Sequence, residues 1–381
     1  DIVIKSAYTL DTEKVEFTKS LNRILAEDVK SDIEMPPFDK AAVDGYACKS
    51  SDIDMELEVI ESVQAGQSPQ KKVQKGQCTQ IMTGAPVPDG VDTIVMVEHT
   101  EETNGKVKVL NKNAKSNISK RAEDVKQGQV VLEKAILIKP QHIAIFASVG
   151  YTDVLVCKKP KVGIISTGDE LVEPNEKPGL SKIRNSNGYQ LLSQCTAIGV
   201  EARYYGIAKD SEELTFKIVS KALAENDLIM LSGGVSMGEF DFVPGVLKKA
   251  GVDILFDRLA VKPGKPTTFG LADKKFCFGL PGNPVSSFIQ FELLVKPLLY
   301  KMMGLNFQPV SIKLPMANDY NRKTTSRKAY MPVLIKDGKI ETIEYHGSAH
   351  IHALNKADGI ISIPIGVNTL KEGEIVDVRQ I

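Results

Sequence analysis

The sequence predicts a multidomain α/β plus β protein, on three observations. Between residues 161 and 303, apolar strand-like runs alternate with stretches of helical period. From 55 to 109, and again from 308 to the end, the text alternates with period two, as half-buried strands do. Stretches of helical pattern, at 11–29 and 141–149, flank the first β-rich stretch. The predicted organisation is therefore a discontinuous helical unit (1–44 and 124–158), an inserted β-rich domain (45–123), a central three-layer α/β domain with a mostly parallel sheet (159–304) and a C-terminal β domain (305–381).

Each element has its own signal. In 11–29, Val15, Phe17, Leu21, Ile24 and Leu25 recur near the helical period, and the Pro-Pro at 36 breaks the pattern. Asn104-Gly105 separates two alternating runs, and Asp337-Gly338 separates 330–335 from 339–344; both dipeptides supply the positive φ of tight hairpin turns. The second helical stretch ends at Gly150. In the central segment, strands are expected at 162–166, 202–207, 227–232 and 276–280. Asp210 with Glu213 resembles a capping box for a helix reaching Leu223, and Asn283-Pro284 opens a helix reaching about Tyr300. In the tail, 360–365 and 374–379 continue the strand pattern.

Composition excludes several classes of function. The chain of 381 residues has 48 Lys+Arg and 48 Asp+Glu, so no excess positive field draws in a polyanion. With no Trp and 6% aromatic residues, a base-stacking surface is disfavoured, and neither nucleic acid nor membrane is an expected partner. No apolar run approaches the roughly 18 residues that span a bilayer. The opening segment is not read as a signal peptide, and the missing initiator Met suggests a trimmed N-terminus. Five scattered cysteines without a C-x-x-C pair point to a reducing compartment, the cytoplasm, and away from disulfides or a cysteine-rich zinc site.

Candidate chemistry sits at the carboxyl ends of the predicted central strands, where open α/β sheets bind ligands. STGDEL (166–171) puts Asp169 and Glu170 after one strand, unless it is only a turn with a helix cap. SGGVSMGEFD (232–241) combines Ser232, Gly233, Gly234 and Ser236 as an anion cradle, or forms a purely structural glycine loop. VKPGKPTTFG (261–270) holds Lys262 and Lys265 on a stiff loop, unless the pair is merely solvated surface. GLPGNPVSSF (279–288) is stiffened by Pro281 and Pro284 and ends at a helix N-terminus. Asp210 alone reads as a cap. With Asp169, Glu170 and Asp241 it forms a set of strand-end carboxylates that would repel without a cation, so Mg²⁺ bridging a phosphorylated ligand is the expectation. Asp39, Asp44 and Thr83 lie on stiff loops that a domain junction can bring over this site. His350 and His352 would share one strand face, as a solvated or hydrogen-bonded pair more readily than as metal ligands.

PPFDKAAVDGYA, MTGAPVP, ISTGDEL, SGGVSMGEFD, VKPGKPTTFG and LPGNPVSSF, in this order, resemble the MoeA-type molybdopterin molybdenumtransferases and the E domain of gephyrin, over nearly the whole chain. The resemblance implies that molybdate is inserted into the dithiolene of adenylylated molybdopterin with release of AMP and the help of Mg²⁺. It also implies an elongated homodimer whose cleft is lined by both subunits. The 1–44/124–158 unit would carry the dimer contact, 159–304 would bind molybdopterin, and 305–381 would be barrel-like. The family's acidic and metal-linked positions fall on Asp44, Glu170, Asp210 and Asp241, with Glu170, Asp210 and Asp241 as the metal set; its functional threonine falls on Thr83. Substrate-phosphate cations fall on Lys262 and Arg258, and molybdate-binding positions resemble Lys265, Ser286, Arg327 and Ser348. Departures are Lys40-Ala41 in place of Asn-Ser, Val43 in place of Met, Arg258 in place of lysine, and GSAHIHAL in the tail. A molybdopterin adenylyltransferase, which shares the α/β domain, is one alternative and otherwise the expected pathway partner. A gephyrin-like receptor scaffold is another; such proteins add a further domain and a long linker, neither of which is read here.

Overall fold

The computed structural model describes residues 1–111, 116–209, 211–235 and 243–381. Its centre is a six-stranded sheet in the order Ala202–Ala208, Val162–Thr167, Leu228–Ser232, Lys275–Leu280, Thr268–Ala272 and Asp253–Phe256. The first four strands run parallel, Thr268–Ala272 runs against them, and Asp253–Phe256 pairs antiparallel with Thr268–Ala272. Side chains alternate between two cores, as the strand period requires. Ile164, Met230, Phe276 and Phe278 join Leu191, Cys195, Phe291 and Val295 on one face. Ile165, Ile229, Leu231 and Cys277 join Val219, Ala222, Val246 and Leu247 on the other. The helices Asn187–Ala197 and Pro284–Gln290 cover the first face, and Glu212–Glu225 with Val243–Lys249 cover the second. The Pro284 helix continues through a π-helical stretch, Phe291–Val295, into Lys296–Met302.

Two local expectations change here. The helix at Glu212–Glu225 is capped by Ser211, whose hydroxyl accepts from Leu214 N at 3.5 Å; Asp210 lies outside the described residues. No helix forms over 11–29. Thr12–Glu16 is a strand paired antiparallel with Asp153–Cys157, Phe17–Lys19 is a 3₁₀ turn, and Asn22 has φ +62°. Ile24 and Leu25 form bridges to Leu137 and Val156. The helical spacing was an accident of two short buried pieces, and pairing with a segment more than a hundred residues away overrides it. Segments on either side of the inserted sheet pair with one another mainly as ribbons. Val29–Lys30 pairs with Val130–Leu132, and Lys40–Ala41 with Ile118–Ser119, beside the helices Ile2–Ser6 and Pro140–Ser148.

The inserted module is a six-stranded sheet ordered Thr93–Met96, Gly45–Cys48, Gln77–Ile81, Glu56–Val63, Lys106–Val109 and Thr100–Thr103. Asn104 and Gly105, at φ +52° and +73°, make its hairpin turn, and Asp337 and Gly338 do the same in the tail. The C-terminal sheet runs Val261–Lys262, Lys328–Lys336, Gly359–Ile363, Ile375–Gln380 and Ser311–Pro315, with Lys339–Thr342 paired beside Lys328–Lys336. A bridge from Ile340 to Met316 curls this sheet back toward its own edge. Its first strand comes from the α/β module: Val261 and Lys262 pair parallel with Lys328 and Ala329. That shared strand, and the packing of Ile360 on Val285 and Ile289, fix the two modules together along one wall. None of the described helices is long and apolar enough to cross a membrane.

Candidate active site

Two cavities meet at this wall. The smaller, about 300 Å³, lies between the α/β and C-terminal modules and contains Lys262, Lys265, Arg322 and Arg327 but, among the described residues, no carboxylate. Ser286, Ser348 and Asn283 add polar groups, and Tyr320, Tyr330 and Tyr345 add aromatic walls. The larger, about 800 Å³, opens over the carboxyl ends of the parallel strands, at Thr167 and Ser232–Val235. Pro266, Pro281 and Asn283 line both.

Local structure explains the rigidity of the smaller cavity. Thr267 Oγ1 donates to Gly264 O at 2.8 Å, and Leu259 N and Thr267 N donate to Lys265 O at 2.9 and 3.1 Å. The buried Gln290 donates to Pro263 O at 3.1 Å, and a Cβ at Gly264 (φ +99°) would collide with its carboxamide. Lys265 therefore projects from a loop with little freedom left to lose. Asn283 and Val285 hold Ser348 from the other side: Asn283 Nδ2 donates to Ser348 Oγ at 3.0 Å, and Val285 N to Ser348 O at 3.0 Å. The amide of Val285, in the first turn of the helix, is thus spent on the C-terminal module instead of being offered to an anion. Arg322 was not anticipated. It donates to Val367 O, Arg327 O and Pro364 O at 2.6, 2.9 and 2.5 Å, so among the described residues its positive charge is met by neutral carbonyls. Arg327 NH1 contacts Val261 O at 3.3 Å.

In the larger cavity, Ser232, Gly233, Gly234, Pro281 and Pro284 line the wall, with Glu170 and His352. The glycine pair exists mainly for close packing. A Cβ at Gly233 (φ +100°) would run into the Thr167 carbonyl oxygen, and one at Gly234 (φ +63°) would lie 2.8 Å from Val243 Cγ2. Gly233 N donates to Leu280 O at 3.1 Å, so it is not a free anion donor as the cradle reading required. Asn187, 8% exposed, gives both amide hydrogens away, to Ser232 Oγ at 2.7 Å and Gly282 O at 2.8 Å. Its Oδ1 is buried without a partner among the described residues. Beside it, Ser166 and Tyr204 hold Asn185, and Tyr204 donates to Glu173 at 2.9 Å. Burial, then the Glu173 contact, pushes the Tyr204 phenol up, so it stays a donor.

The remaining predicted residues divide into three groups. Asp44 and Thr83 are mutual partners: Asp44 Oδ1 accepts from Thr83 Oγ1 and Thr83 N, both at 2.6 Å, which holds the Asp44 carboxyl below its usual range. Asp44 borders a separate pocket of about 170 Å³ in the inserted module, with none of the residues of the other two. Within one chain, the domain junction does not bring this pair over the strand ends. Arg258, with its Nε 3.7 Å from Asp257, lines neither cavity, because it precedes the loop that turns Lys262 and Lys265 inward. Asp210, Ser236 and Asp241 lie outside the described residues. Among the described residues, no three His, Cys, Asp or Glu side chains come together to hold a metal. His350 and His352 do not share a strand. Gly347 (φ +109°) turns the chain, His350 stacks on His346 with centroids 4.9 Å apart, and His352 enters the 3₁₀ turn Ile351–Lys356 at the larger cavity. All five cysteines are buried free thiols.

The fold and site together define a multidomain α/β protein whose basic, oxyanion-sized cavity adjoins a ligand-sized cleft. The chain belongs to the MoeA family of molybdopterin molybdenumtransferases. It matches the MoeA N-terminal region (domain I and II) over residues 1–150, the probable molybdopterin binding domain over 163–301 and the MoeA C-terminal region (domain IV) over 313–381. A molybdopterin molybdenumtransferase of Staphylococcus epidermidis is 37% identical over 99% of this chain and 93% of that protein. One from Staphylococcus aureus is 35% identical with the same coverage. The crystal structure of the molybdopterin biosynthesis moeA protein of Pyrococcus horikoshii superposes with a TM-score of 0.88 at 32% identity, over 100% of this chain and 97% of that one.

Proposed function

We propose that this chain is a molybdopterin molybdenumtransferase of molybdenum cofactor biosynthesis, inserting molybdate into the dithiolene of adenylylated molybdopterin with release of AMP. One observation carries the reading. A cavity with four cationic side chains and, among the described residues, no carboxylate opens beside a cleft large enough for a nucleotide-linked pterin, across a shared wall of Pro266, Pro281 and Asn283. Molybdate is a dianion, which fixed Lys265 and Arg327 with the hydroxyls of Ser286 and Ser348 suit. Lys262, on the short strand that joins the two modules, adds a further cation to the same cavity. Holding both reactants in adjoining, preorganised cavities supplies the orientation that a two-substrate reaction otherwise loses to entropy.

The other parts of the reading come from the family. Mg²⁺ would neutralise charge on the departing phosphate, held by Glu170, Asp210 and Asp241. Of these, Glu170 is described and lines the cleft, and Mg²⁺ typically takes one or two carboxylates together with substrate phosphates, a donor set that Glu170 would begin. The separation of the Asp44–Thr83 pair from both cavities of its own chain favours a homodimer in which a second copy brings this pair to the cleft. A molybdopterin adenylyltransferase would supply the substrate, and the five free thiols suit the cytoplasm.

Purified protein given adenylylated molybdopterin, molybdate and Mg²⁺ is expected to release AMP only when molybdate is present. Lys265→Met should raise the molybdate concentration for half-maximal release by about tenfold or more. Release independent of molybdate would overturn the reading.

A further inference from the structure

We propose that Arg184 binds the phosphate-bearing end of the substrate in the larger cleft. This rests on reading that cleft as the site of a nucleotide-linked ligand, and it names a residue outside the six motifs. Glu170, Arg184 and His352 are the ionisable side chains among the described residues lining the cleft, so Arg184 is its one permanent cation there. The cations expected to meet the phosphate are placed otherwise. Arg258 lines neither cavity, while Lys262, Lys265, Arg322 and Arg327 face the smaller one. Two backbone donors expected to serve an anion are spent within the protein, Gly233 N on Leu280 O and Val285 N on Ser348 O. A phosphate ester entering the cleft needs a counter-charge, and Arg184 is where the fold supplies one.

Arg184 is also built for the task. Ile183–Arg184 runs parallel to Leu171–Val172, with Ile183 N on Glu170 O at 2.8 Å and Asn185 N on Val172 O at 2.9 Å. These bonds on either side fix its backbone against the cleft wall. Its Nε donates to Glu176 O at 3.0 Å, which sets the plane of the guanidinium. The NH1/NH2 fork has no partner among the described residues, and no described carboxylate lies within ion-pair distance. The side chain is oriented without being neutralised, the state in which a guanidinium fork meets two phosphate oxygens at little entropic cost.

The test is equilibrium dialysis of the full chain against radiolabelled AMP at low ionic strength, with molybdate binding measured in parallel. Wild-type protein should bind both. Arg184→Gln should weaken AMP binding by about tenfold or more and leave the molybdate Kd unchanged. Arg184→Lys should recover part of the loss, since it keeps the charge but not the fork. Wild-type AMP affinity in Arg184→Gln overturns the assignment of Arg184 while the cleft reading stands. Equal loss of AMP and molybdate also overturns it, because the effect would then not be local to the cleft. Absence of AMP binding in the wild type overturns the cleft reading itself and the assignment with it.

Discussion

Asp39 lies in the first of the motif strings, yet its surroundings are those of a clamp. Its carboxylate accepts from Arg121 N at 2.8 Å and Lys120 Nζ at 2.9 Å, and its carbonyl from Val87 N at 2.8 Å. The Arg121 backbone bond, then the Lys120 bond, hold the carboxyl below its ordinary range. A carboxyl with a lowered folded value stabilises fully above the unfolded value of about 3.9 and loses that contribution as pH falls through the folded value. Asp39→Asn should therefore lower Tm near neutral pH, with the gap to wild type closing below about pH 4. Melting curves between pH 6 and pH 3 check this, and a gap that stays constant would contradict it. Asp44 is held low in the same way by Thr83, but its partner is a side chain of the other proposed functional position. Two aspartates five residues apart thus do different work, which their shared loop text did not reveal.

Among the strand-end loops, the glycine pair shows how one string serves two ends. Gly233 lets the loop after Leu228–Ser232 pack onto Thr167, the last residue of the neighbouring strand. Gly233→Ala would bring Cβ against a backbone carbonyl at a left-handed φ, a strain of about 1–3 kcal/mol before the steric conflict is added. Urea unfolding should show at least this loss, and AMP binding should weaken because the cleft wall shifts. An Ala variant of wild-type stability would mean that the loop relaxes freely. The misread stretch at 11–29 marks the opposite limit. A short apolar run with helical spacing holds no helix when a distant strand, Asp153–Cys157, offers it a ladder.

For the assembly of modules, a buried ionic contact adds to the shared strand and the apolar packing. Glu292, 5% exposed in the π-helical stretch, accepts from Lys296 Nζ at 2.8 Å and Gln194 Nε2 at 3.2 Å. Arg379, from the last strand of the C-terminal sheet, reaches it at 3.9 Å and donates to the Glu292 carbonyl. Lys296 and Arg379 also face the Phe307 ring. Glu292→Gln leaves two poorly hydrated cations without their counter-charge, at a cost of about 3–5 kcal/mol. The same variant should weaken molybdate binding, because the smaller cavity has one wall in each module. Stability measured with urea and affinity measured by dialysis should fall together; wild-type values for both would show that the shared strand at Val261–Lys262 suffices.

The α/β core was legible from residues alone because its strands are continuous apolar runs whose alternate side chains feed two faces, as Ile164 and Ile165 do. The hairpins at Asn104-Gly105 and Asp337-Gly338 were legible because few residues accept positive φ. Lys265 and Ser286 were nameable from motif strings, Arg327 and Ser348 from the family resemblance, and all four line one cavity. Contacts that depend on chain elements far apart were not legible. Arg322 and Arg184 sit in text without a motif, and their orientation comes from carbonyls that folding brings to them. Arg258 looked suitable by charge but lines neither cavity of its own chain. Local pattern reports period, turn chemistry and residue type, which are properties of neighbours in the chain. Which cation faces which cavity is a property of neighbours in space, and it is settled by how the modules close on one another.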